Sequence, residues 1–397
     1  MKMFKLACLL LLALAVAGCG KKVSVPEKTI IAAYIDIEKA YLNGKSCAQT
    51  IIDALPSAER ERTKKKFDKD MQKIEKAVEE LSAEWAVVTF GGNLKKLTRS
   101  SIGDAEEDFA VAVKVNADKD AVKKVLKDVF DMKDVEADRK NGHVVFECKN
   151  AKDVRVGLID DQYLIFSPGE DAFDDMFDLY AGKGKASDEF EDLARISGDT
   201  VCRIQTAPVS RLLERFELTR EIEKFGEAAE DEELVNMVLN MGSISLDVNI
   251  DDEVGLALNV ACDSSSDAKV IENLMRSFAT FARVGCDIVA YLAENPDQID
   301  RPLSRKKKNE LVGAKDLVIN LAKNIKADRS WSVATLSFTL KTEIIADFIR
   351  KTSSESKRDD DDDKFSAKWD TSKTKKVNKA KSAYDSYNKP AYDVYKK

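Results

Sequence analysis

Residues 243–260 read SISLDVNIDDEVGLALNV. Ile244, Leu246, Val248 and Ile250 alternate with polar residues, and Val254, Leu256, Leu258 and Val260 repeat the pattern after Asp251-Asp252. Alternation with a period of two, broken by two turn-forming residues, predicts two antiparallel strands joined by a tight hairpin. One face of that hairpin is apolar and buried; the other is polar and wet.

The same texture occurs earlier in the chain. At an offset of 145 residues, Phe109, Val111, Val113 and Val115 match Val254, Leu256, Leu258 and Val260. Their partner strand is Trp85–Phe90, reached through a longer loop from Gly91-Gly92 to Asp108. Upstream, a short apolar strand leads into a helix in both places. Ile30–Ile35 runs into Lys39–Leu42, and Val201–Ile204 runs into Arg211–Leu213. Amphipathic helices follow, with Phe67, Met71, Ile74, Val78 and Leu81 on one face of the first and Leu212, Leu213, Phe216, Leu234, Val235, Val238 and Leu239 in the second. Downstream, Val122, Val125, Leu126 and Val129 match Ile271, Leu274, Met275 and Phe278, and Asp263–Asp267 offers helix N-caps. The expected fold class is therefore α+β: two related βαββα units, each an antiparallel sheet packed against amphipathic helices. The units span 29–181 and 199–352, with 182–198 as a linker.

Beyond the matched core the halves differ. The first adds strands near His143–Cys148, Val154–Ile159 and Gln162–Phe166 and a helix near Asp171–Tyr180. The second prolongs its helix through Val284, Ile288 and Leu292 and breaks at Asn295-Pro296. It continues with a helix over 311–325, a strand over 331–340 and a helix over 342–350.

Charge divides the chain as well. Lys364–Lys397 carries ten Lys and three Asp, whereas residues 19–363 carry a net charge of −16. An acidic body argues against nucleic-acid binding by the globular part. The tail mixes Lys with Trp369, Tyr384, Tyr387, Tyr392 and Tyr395 and lacks the aliphatic residues of a core. Residues 353–397 are read as a disordered acidic-then-basic segment able to meet an anionic envelope polymer or a protein partner.

Lys2 and Lys5 precede an apolar run from Leu6 to Val16, too short to span a bilayer, which ends in Val16-Ala17-Gly18-Cys19. This order resembles the lipobox signal of bacterial lipoproteins, with Val16 where Leu is commoner. The resemblance implies that residues 1–18 are removed, that Cys19 accepts diacylglycerol, and that 19–28 forms a lipidated tether to a membrane of the cell envelope. Gly20, where an Asp would favour inner-membrane retention in that family, slightly favours the outer membrane. The body is similar in element order to uncharacterised exported bacterial proteins with tandem α+β repeats, a likeness that assigns no site residues.

No motif predicts a catalytic, cofactor or metal residue. His143 is the single histidine, so neither a multi-histidine metal site nor a spaced triad can be assembled around it. Ser304/Lys307, Ser354/Lys357 and Ser372/Lys375 fit a Ser-x-x-Lys pattern, but its companion motifs are absent. The acidic pairs Asp160-Asp161, Asp174-Asp175 and Asp251-Asp252 read as solvated turns or helix faces. Asp359–Asp363 lacks the alternating ligands of a calcium loop. Five cysteines remain after Cys8 and Cys19, namely Cys47, Cys148, Cys202, Cys262 and Cys286, and read mainly as small buried apolar residues. The expected role is non-catalytic binding or structure at the envelope. An envelope hydrolase using carboxylates assembled in three dimensions, or a carrier of an apolar ligand, are the alternatives.

Overall fold

A computed structural model describes residues 23–92, 106–148, 154–196, 198–215, 232–296 and 305–352, with 151, 218–220, 222 and 224. In chain order the elements begin with β1 (Ile31–Asp36), α1 (Ile37–Ala54), α2 (Ser57–Leu81), β2 (Trp85–Phe90), β3 (Phe109–Lys114) and α3 (Lys119–Asp128). Four further strands follow: β4 (Glu136–Lys140), β5 (His143–Glu147), β6 (Arg155–Ile159) and β7 (Tyr163–Ser167), and then α4 (Glu170–Tyr180). The second half comprises β8 (Thr200–Thr206), α5 (Val209–Arg215), α6 (Glu232–Leu239), β9 (Met241–Ile250), β10 (Glu253–Cys262) and α7 (Ser265–Glu294). It ends with α8 (Arg305–Asn324), β11 (Lys326–Ser330), β12 (Val333–Lys341) and α9 (342–352).

Local chemistry sets the helix starts. Asp36 caps α1 by accepting from the Lys39 amide at 3.1 Å, and Asp118 caps α3 from Ala121 at 2.8 Å. Ser264, inside the predicted capping stretch, accepts from the Asp267 amide at 3.1 Å and opens α7. Each cap satisfies an amide that the first helical turn leaves without a partner.

All twelve strands join one antiparallel sheet in the order β11-β12-β10-β9-β8-β1-β2-β3-β7-β6-β5-β4. The hairpin of residues 243–260 has the expected register, with Val254 opposite Ile250 and Leu258 opposite Leu246 around Asp251-Asp252. The halves do not form separate sheets: β1 and β8 pair at the centre, with Ala33 opposite Ile204.

One face is apolar across the interior strands. It carries Ile35, Ala86, Val88 and Cys202 at the centre, against α1, and Val260, Cys262 and Ala334 toward the β11 edge, against α7. The opposite face differs between the halves. In the first it is covered, correcting the expectation of one wet side: Ala110 and Ala112 on β3 are buried beneath Phe173, Met176 and Phe177 of α4. Gly157 opens room there, because a Cβ at that position would lie 2.6 Å from the Phe177 ring. In the second half this face is polar and uncovered, as the alternation requires.

Two further segments pack on the covered side. Val23 and Val25 are buried with Tyr34, Trp85, Phe190 and Leu193. Lys28 pairs with Asp175 at 2.9 Å, so residues 23–28 lie on the body rather than hang free. The 182–198 stretch supplies Phe190 and Leu193, both core residues.

The helix stripes require one correction. Val122, Val125 and Leu126 are buried as expected, and so are Ile271 and Met275. Leu274 and Phe278, aligned with Val125 and Val129, are instead 53% and 59% exposed.

Candidate functional site

The open polar face of β8, β9 and β10 forms a groove of about 430 Å³. Arg203 on β8 and Asp247 on β9 stand opposite one another in register. Their contact is bidentate: Arg203 Nε donates to Asp247 Oδ1 at 2.6 Å and its Nη2 to Oδ2 at 2.9 Å. Nη1 donates to the carbonyls of Asp192 and Arg195, both at 3.2 Å. The fixed fork of the guanidinium suits a planar carboxylate, and four of its five N–H groups are used by the fold. Hydrogen bonding to Asp247 pushes the Arg203 pKa above its ordinary value, so the guanidinium stays charged.

The network continues along the next row of the sheet. Asn259 Nδ2 donates to Asp247 Oδ2 at 3.1 Å, and Thr335 Oγ1 donates to Asn259 Oδ1 at 2.8 Å. Ser243 and Ser245 complete the floor. The rim is the 188–192 turn, where Arg211 pairs with Glu189 at 2.5 Å and Gln205 Nε2 donates to the Glu189 carbonyl at 2.9 Å. Asp188, Glu191 and Asp192 line the same rim, so the mouth is acidic.

The lining of the groove holds no histidine, cysteine or lysine; its titratable groups are Arg203 and the carboxylates of Asp188, Glu189, Glu191, Asp192 and Asp247. Its central carboxylate is engaged by arginine. Among the described residues no group of three or more His, Cys, Asp or Glu could hold a metal ion.

The residues weighed in the sequence lie elsewhere. His143 Nδ1 is 3.2 Å from Asp160 Oδ1, and the ring meets the Phe177 ring edge-on at 5.9 Å. Asp160 and Asp161 lie in the three-residue β6–β7 connection with φ of 50° and 58°, the left-handed geometry that lets the Gln162 amide donate to the Ile159 carbonyl at 2.9 Å. Asp174 and Asp175 hold Lys140 and Lys28. All five body cysteines are free; Cys148, Cys202 and Cys262 are buried, and burial pushes the Cys202 thiol up to about 12. The apolar cavity between α2, β3 and β7 has about 40 Å³, far below the roughly 300–1,000 Å³ of ligand pockets. Cys19, Ser304, the Ser354 and Ser372 motifs, Asp359–Asp363 and the Lys364–Lys397 tail lie outside the described residues. No described helix is long and apolar enough to cross a membrane.

Sequence reasoning missed Arg203, Asp247 and Asn259. Asp247 sits on the polar side of the quoted alternation, but its arginine lies 44 residues earlier, and only the β8–β9 register brings the two together.

No family model matches the chain, no curated protein matches it, and no solved structure matches it.

Proposed function

We propose that this chain is a lipid-anchored protein of the cell envelope, held at a membrane through Cys19, and that it acts by binding rather than by catalysis. The observation that carries the reading is the groove: its central charges, Arg203 and Asp247, are engaged in an internal hydrogen-bond network, and its open surface is a floor of hydroxyl and amide groups with an acidic rim. Such a surface favours a neutral or cationic hydrogen-bonding partner and repels an anionic one. An anionic envelope polymer is therefore assigned to the basic tail, and a protein segment to the groove. The N-terminal charge, apolar run and Ala17-Gly18-Cys19 supply the location.

The body is read as a duplicated βαββα unit. In its support, β1-β2-β3 and β8-β9-β10 run outward from the central pair in the same order. The two outermost strands also share a sequence, Ala137-Asp138-Arg139 and Ala327-Asp328-Arg329, and in each the Asp carboxylate accepts from the next amide, at 2.7 and 2.8 Å.

A photo-crosslinking residue placed at Ser245 in the full chain, in intact cells, tests the binding reading. The expected result is a discrete adduct that disappears when the groove is filled by Ser243→Trp. A chain that forms no adduct from Ser245, while crosslinkers on the covered face of β3 behave identically, would contradict it.

A further inference from the structure

The exposed side of α7 carries a regular apolar stripe. Val270, Leu274, Phe281, Val284, Ile288 and Tyr291, each between 47% and 77% exposed, follow steps of 4 and 3 residues once Ser277 is included between Leu274 and Phe281. This is the narrow a/d seam by which one helix packs against another. The opposite side of α7, with Ala268, Ile271 and Met275, already packs on the sheet. Taking roughly 150–250 Å² for a whole aromatic side chain, the stripe with Phe278 exposes on the order of 700 Å² of apolar surface. That is close to the ~800 Å² each partner contributes to a stable interface.

We infer that α7 pairs antiparallel with α7 of a second copy of this chain about a two-fold axis at Phe281. The spacing is nearly a palindrome about that residue: Leu274 meets Ile288 of the copy, Val270 meets Tyr291, and Phe278 meets Val284. Small residues fall where the rings need room. Ser277 faces Gly285 of the copy, and a Cβ built on Gly285 meets nothing within 4 Å. Charge on the flank agrees with the antiparallel direction: Lys269 comes beside Glu294 of the copy, which also holds Lys315 of its own chain at 2.6 Å, and Arg276, paired with its own Glu272, comes beside Asp287.

A membrane is the less suitable occupant. Val23 and Val25 enter the core on the face of Tyr34 and Trp85, whereas α7 lies on the face of Val260 and Ala334. Cys19 precedes Val23 by four residues, a reach of at most about 14 Å, and Val23 is on the face opposite α7. That exclusion rests on the lipid-anchor reading; the pairing register does not.

Cysteine crosslinking of the full chain in a Cys286→Ser background tests the inference. Phe281→Cys should give a disulfide-linked dimer on mild oxidation. Val270→Cys alone should not, because antiparallel copies hold those residues about 30 Å apart, and combining Val270→Cys with Tyr291→Cys should restore the dimer. In parallel, sedimentation of the full chain in detergent should show a dimer that Phe281→Asp converts to monomer, raising the dissociation constant at least 100-fold with the circular dichroism spectrum unchanged. Equal crosslinking from Val270→Cys alone, a wild-type chain monomeric at 50 µM, or binding of α7 to lipid vesicles in place of self-association would overturn it. Failure of Cys19 acylation would leave these outcomes unaffected.

Discussion

Replacing Asp247 with Ala should be the most damaging single change in the polar face of the sheet. The substitution removes both acceptors of the bidentate contact and leaves Arg203, 19% exposed, with only the Asp192 and Arg195 carbonyls. It also removes an acceptor from Asn259. Breaking a fully buried ion pair by deleting one partner costs about 3–5 kcal/mol, because an uncompensated charge stays behind. The side chains here retain 19% and 13% exposure, so water recovers part of that loss, and about 2–4 kcal/mol is expected. Urea unfolding followed by circular dichroism reads this as a lower midpoint at unchanged slope. The double variant Arg203→Met/Asp247→Leu should recover most of the loss, since it removes both charges together. If Asp247→Ala stays within about 0.5 kcal/mol of the parent, or the double variant is as damaged as the sum of the singles, the clamp does not hold β8 to β9.

Other consequences can be measured separately. Burial pushes the Asp36 carboxyl above its ordinary 3.8, so folding is penalised progressively as pH rises from 3.8 through the raised folded value, and fully above it. Asp36→Asn keeps the cap acceptor and removes that penalty; its melting temperature should exceed the parent's at pH 7 and match it near pH 3.5. A gain that persists at pH 3.5 would refute the electrostatic cause. At Gly169 an added Cβ would lie 1.8 Å from the Glu107 carbonyl, so Gly169→Ala should destabilise by at least about 2 kcal/mol in the same urea assay. Thiol labelling of the native protein should modify Cys47 and Cys286 and spare Cys148, Cys202 and Cys262 until denaturant is added; rapid labelling of Cys202 would contradict its burial.

The fold was legible wherever burial leaves a periodic trace. The 243–260 hairpin, the strand Trp85–Phe90 and the caps at Ser264 and Asn295 follow from alternation and end-residue chemistry alone. β4 and β11 were not legible. Both are sheet edges with little to bury, and Glu136–Lys140 and Lys326–Ser330 carry no apolar alternation to mark them; polar edges also discourage pairing with other chains. The wet face assigned to β3 failed for a different reason. Ala110 and Ala112 are small because α4 packs directly on them, and alanine carries no signature of which side is covered. Leu274 and Phe278 expose the limit of helical periodicity, which shows that a face is apolar but not what covers it. The groove depends on the β8–β9 register across 44 residues, information that local pattern does not contain.

Mass spectrometry of the mature N-terminal peptide reads the lipid anchor at Cys19 itself. The expected peptide begins at Cys19, carries diacylglycerol on its sulfur, and loses both the lipid and membrane association in Cys19→Ser. A mature chain that starts elsewhere, or one that starts at an unmodified Cys19, would contradict the lipid anchor.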